Sequence, residues 1–140
     1  MTPRIRAILL LVVTIGFALT TPFTTRVAGY DPTLFPVNIA RPMIQPAGYA
    51  FAIWGVIYVW LITHAVFGVW LKRDVPEWDV PRLWLIAAAL LGALWLVVSP
   101  EYPRLATGVI WAMLVAALGA FLKTPTQPDR WMLSAPVAML

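Results

Sequence analysis

Residues 46–71 read PAGYAFAIWGVIYVWLITHAVFGVWL, and the stretch carries no Asp, Glu, Lys or Arg and the chain's sole histidine, His64. About 20 apolar residues in a row are what a helix needs to cross about 30 Å of hydrocarbon. Pro42 and Pro46 sit badly inside a helix, so the span is expected at 47–71. Phe51, Trp54, Tyr58 and Leu61 recur at helical spacing and make one aromatic face. Trp60, His64, Phe67 and Leu71 lie along another, and the small residues Gly48, Ala52 and Gly55 allow close approach of a neighbouring backbone.

Three similar apolar runs flank this one. Arg4, Arg6 and Arg26 bound a first span at 5–23. That run is longer than the about 7–15 residues of a signal core and no Ala-x-Ala site follows it, so it reads as a retained helix. Pro81 and Pro100 bound a span at 83–99, and a fourth covers 105–122. A fifth apolar element at 131–140 rises about 15 Å, half a bilayer, and reads as a helix truncated in a longer protein. The expectation is an all-α integral membrane protein, a single transmembrane domain over 1–140 with five helices.

Composition agrees. The chain is 61% hydrophobic and 11% charged, with mean hydropathy +0.83, against about 45–50% and about 25% in ordinary soluble domains. Lipid is the partner that this composition requires. The net charge of +4 comes from basic residues scattered singly or in pairs through short loops, which argues against nucleic acid. Seven lie on the side of the N-terminus (Arg4, Arg6, Lys72, Arg73, Arg82, Lys123, Arg130) and three on the other (Arg26, Arg41, Arg104), which places the N-terminus in the cytoplasm. There is no cysteine, so thiolate chemistry is excluded.

Candidate functional residues are aromatic. Of eight tryptophans, Trp70, Trp78, Trp84 and Trp131 lie near span ends, where an interfacial belt accounts for them. Trp54, Trp60, Trp95 and Trp111 lie deeper, where an indole N–H finds few partners. They either pack between helices or line a cavity for a flat ligand. Residues 26–46 hold Pro32, Pro36, Pro42 and Pro46, together with Tyr30, Leu34 and Phe35, and are expected to fold over the helix ends as a lid. An ionisable residue within a span raises a functional question by default, and His64 is open to three readings: structural, ligand contact, or metal or haem ligation. Metal ligands at suitable spacing are not apparent, and neither is a catalytic constellation. Glu101, beside Arg104 at a membrane edge, reads as a solvated charge, or as an acid for an isoprenoid double bond.

The stretch from Pro46 to Tyr58 resembles the second-helix signature of the TspO/MBR family, the tryptophan-rich sensory proteins and translocator protein. Pro46, Phe51, Trp54 and Tyr58 are the matching positions. Gly92-Ala-Leu-Trp95 is similar to that family's Asn-x-x-Trp, and Ala135-Pro136 to the start of its fifth helix. The departures are Tyr49 in place of Trp, a Phe51–Trp54 spacing one residue shorter, Gly92 in place of Asn, and Val137 and Leu140 in place of Tyr and Trp. They mark a divergent branch.

The resemblance implies a five-helix TspO-like bundle that binds, senses or transports a hydrophobic small molecule, above all a tetrapyrrole such as a porphyrin or haem. No cofactor is obligatory. The lining residues would be Tyr49, Phe51, Trp54, Tyr58 and Trp95, with Trp111 and His64 beside them. A homodimer through Gly108, Ala112, Ala116 and Gly119 is the expected assembly. The alternatives are a membrane enzyme acting on an isoprenoid or porphyrin, which would depend on Glu101 or His64, and a transporter or scaffold subunit completed by further helices.

Overall fold

The computed structural model describes residues 1–23, 49, 52–125 and 130–140. The expected lid and Phe51 lie outside them. Helix α1 is Pro3–Phe23, α2 Ala52–Trp70, α3 the single turn Pro76–Asp79, α4 Arg82–Val98 and α5 Pro103–Lys123. A π-helical turn, Arg130–Ser134, leads into α6, Ala135–Met139. The four long helices fall on the first four expected spans, and α1, α2, α5 and the run Pro76–Val98 that joins α3 to α4 are long and apolar enough to cross a membrane. No strand occurs among the described residues.

The helices close a ring. Helix α1 lies between α2 and α4, α5 packs on α4, and α6 bridges α2 and α5. The inner stripe of α1 runs Ala7, Leu10, Thr14, Phe17, each buried, at alternating spacings of three and four that keep one face inward. Its outer face exposes Ile8, Val12, Ile15 and Leu19. Apolar residues outside as well as inside are what a helix between lipid and protein requires.

Small residues set the closest approach. Ala88 of α4 packs with Ala116 and Ala117 of α5, and Gly119 lies under the Trp84 indole, where a Cβ would come within 2.5 Å of the ring. Ala116 and Gly119 are therefore occupied inside the chain, whereas Gly108 and Ala112 face outward. The small-residue row expected to serve a second copy is divided between two sides of the helix. Ala52 and Gly55 are exposed, and a Cβ on Gly55 would meet nothing within 4 Å, so the close approach expected there is not made by the described residues.

One end of the ring is bolted by an arginine that the sequence placed among loop charges. Arg82 is 1% exposed. Its Nη1 donates to the carbonyls of Pro3 (3.1 Å) and Arg73 (2.9 Å) and to Asp79 Oδ1 (3.2 Å). Its Nη2 donates to the carbonyls of Gly68 (3.2 Å) and Lys72 (2.9 Å). The last carbonyls of a helix have no partner within it, and they carry the negative end of its dipole. A buried guanidinium at the end of α2 answers both needs, and the same group reaches the first turn of α1. Asp79 also accepts from Arg6. At the rim, Asp74 pairs with Arg4 at 3.2 Å, and the hydrogen bond from Arg4 holds its carboxyl below the usual carboxylate range.

Candidate functional site

The interior at the opposite end, where α1 finishes and α2 begins, is aromatic. Trp54 and Tyr58 lie one turn apart on α2 with ring centroids 5.9 Å apart. Phe17 of α1 meets Tyr58 edge-on at 5.0 Å and Trp54 at 6.5 Å. Edge-to-face pairs at these distances are favourable beyond the area they bury. Trp95 and Met113 belong to the same cluster. Thr21 Oγ1 donates to Tyr58 Oη at 2.8 Å, which gives the cluster a polar point. The structure brings Trp54, Tyr58 and Trp95 of the expected residues into one cluster and adds Phe17 and Thr21, which the sequence reading did not single out. The signal for both was the stripe of α1: hydroxyl-bearing Thr14 and Thr21 align with Phe17 on one face of an otherwise aliphatic helix.

The remaining candidates stand apart. Tyr49 is 84% exposed, and Trp111 is 63% exposed on the outer side of α5. Neither joins the cluster. Trp78, expected in the interfacial belt, is instead buried and lies flat on His64 at 4.9 Å. Glu101 and Arg104 are both exposed.

His64 belongs to the joint between α2 and the fifth element. Pro136 has no N–H. It can close neither the α-type bond to the Met132 carbonyl nor the π-type bond to the Trp131 carbonyl. Carbonyls within hydrocarbon need a donor from the protein, and α2 supplies one to each. His64 Nδ1 donates to Met132 O at 2.6 Å and Trp60 Nε1 to Trp131 O at 3.1 Å. The deep Trp60 indole thereby finds the partner that its depth seemed to deny it.

This joint gives a quantitative expectation. His64→Leu should lower stability by about 1 kcal/mol, the usual scale of a hydrogen bond between membrane helices. His64→Asn, which keeps an N–H near the position of Nδ1, should recover part of the loss. In a Pro136→Ala background the helix regains its own donor, so His64→Leu should cost little. A double-mutant cycle of melting in detergent measures the difference, and strict additivity would refute the joint.

A cavity of about 10 Å³ lies between α1, α2 and α4, lined by Leu10, Thr14, Leu61, His64, Leu85, Ala89 and Leu140. That is room for about one water molecule. No group of three or more acidic or histidine side chains that could hold a metal occurs among the described residues.

A ring of long apolar helices around an aromatic interior defines a multi-pass helical membrane protein. The model of the family described as TSPO-like protein matches residues 4–140, and the chain belongs to that family. No curated protein and no solved structure matches it.

Proposed function

We propose that this chain binds a hydrophobic small molecule of the tetrapyrrole class at the Trp54–Tyr58–Trp95 cluster, to sense or to carry it. The observation that carries this reading is the cluster itself: aromatic faces from two helices, with one hydroxyl pair, at the end of the bundle where the chain leaves α1. Ligand sites are mostly apolar and aromatic with a few placed polar groups. Flat ring systems gain by stacking on indole and phenol rings. A ligand of this kind would arrive by partition from the bilayer.

Two further statements belong to the proposal. The N-terminus faces the cytoplasm, on the distribution of Lys and Arg among short loops. A second copy would meet the outward part of the small-residue row, Gly108 and Ala112.

The test is a titration of protoporphyrin IX against tryptophan fluorescence in detergent. Saturable quenching is expected with a Kd of about 1 μM, equivalent to about −8 kcal/mol. Trp54→Phe and Trp95→Phe should each weaken it about tenfold, equivalent to about 1.4 kcal/mol. Trp111→Phe, on the outer side of α5, should leave it unchanged. Linear quenching, or equal behaviour of all variants, would mean that the porphyrin merely dissolves in the micelle.

A further inference from the structure

The Phe17 ring stands in a slot shaped for one ring. Gly92 forms one wall, and a Cβ there would lie 2.6, 2.7 and 3.1 Å from three atoms of the Phe17 ring. The opposite walls are Tyr58 and Trp54. The ring is 2% exposed. At the rim, Tyr58 Oη accepts from Thr21, which leaves its own proton to donate.

The backbone that carries Phe17 holds three residues that weaken a helix. Gly16 precedes it, with nothing within 4 Å of where its Cβ would be. Thr20 Oγ1 bonds back to the Gly16 carbonyl at 2.8 Å, an arrangement that loosens and bends helices. Pro22 lies inside the same helix and removes the N–H that would bond the Ala18 carbonyl. Glycine, back-bonded threonine and proline within seven residues weaken the segment that holds the ring.

We propose that the slot between Gly92 and the Trp54–Tyr58 pair is a binding site for a single aromatic ring bearing a hydrogen-bond acceptor, and that Phe17 occupies it until a ligand displaces it. Filling the slot from within the chain avoids the cost of an empty cavity in the core. A ligand enters with one ring, Phe17 swings towards lipid, and Tyr58 donates to the ligand's acceptor. The proposal rests on the reading of this cluster as the ligand pocket, and it narrows the part of a ligand that the pocket grips.

The test uses the full chain in micelles with 4-fluorophenylalanine at position 17, titrated with phenol and followed by fluorine NMR. The expected result is a second resonance that grows saturably and is broadened by spin-labelled lipid. Tyr58→Phe should weaken the effect at least threefold. Phe17→Ala, or Phe17→Leu if the alanine variant does not fold, should bind phenol at least tenfold more tightly than the parent chain. Leu85→Ala, a core truncation elsewhere, should show no such gain. A resonance at position 17 that stays unmoved overturns the proposal, even if Phe17→Ala binds. So does a Leu85→Ala variant that binds phenol equally well. If porphyrin quenches Trp54 saturably while Phe17 stays in place, the pocket stands and the displacement falls. If phenol displaces Phe17 while porphyrin fails to saturate, the slot stands and the tetrapyrrole reading falls.

Discussion

Arg82→Met is expected to abolish the folded bundle or to lower its stability by about 3–5 kcal/mol, the scale for removing one partner of a buried ion pair. The loss is large because five acceptors depend on one guanidinium: four carbonyls and Asp79. The Gly68 carbonyl would stay buried without this donor, and the carbonyls of Pro3, Lys72 and Arg73 would lose it as well. Asp79 would keep Arg6, but the end of α2 and the first turn of α1 would lose their common anchor. Arg82→Lys should rescue little. An ammonium has three donors at one point, whereas the guanidinium has five spread over a planar fork. Melting by tryptophan fluorescence, with size-exclusion chromatography in detergent, checks both variants. A methionine variant that stays monodisperse and melts within a few degrees of the parent chain would sink this account of Arg82.

Gly92→Ala is expected to destabilise by about 1–3 kcal/mol, the range for overpacking a core. The added methyl would enter the Phe17 ring, and that ring has Tyr58 and Trp54 behind it. Gly119→Ala provides the contrast. Its Cβ would meet Trp84 at 2.5 Å, no farther than the contact at Gly92. Trp84 is partly exposed, however, and can turn into lipid, so Gly119→Ala should cost less. Combining Gly92→Ala with Phe17→Leu should recover part of the loss, because the two residues share one volume. Equal penalties at both glycines, or strict additivity of Gly92→Ala and Phe17→Leu, would show that the ring is not what Gly92 accommodates. By the resemblance drawn from the sequence, Gly92 stands at the Asn of the TspO pattern, and in this chain the space beside it is taken by Phe17 of α1.

The spans were legible because charges and prolines bound them, and because hydrocarbon imposes one length on every crossing helix. The grouping of Trp54, Tyr58 and Trp95 was legible from helical spacing and from the resemblance. What the sequence hid were pairings between distant segments. Arg82 looked like any basic residue in a short loop, since nothing local says that five acceptors from three segments will converge on it. Trp78 looked interfacial for the same reason, and its place against His64 depends on the fold of the α3 turn. Pro136 was visible as a marker of the fifth helix. The carbonyls that it deprives of donors became meaningful only when Trp60 and His64 were found opposite them. Phe17 was passed over because its alignment with Thr14 and Thr21 is a short signal within an apolar run that reads first of all as a lipid-crossing helix.

The burial of Arg82 also separates two moments in the life of the chain. A membrane segment is oriented while it is still being threaded from the ribosome, before its neighbours exist. At that moment Arg82 is an ordinary charge beside water. Once α1, α2 and α4 meet, the same charge has left the water and carries the joint between them. A substitution there would act on newly made chains at two successive stages, and pulse-labelled topology mapping would separate an inverted chain from one that is correctly threaded but never closes.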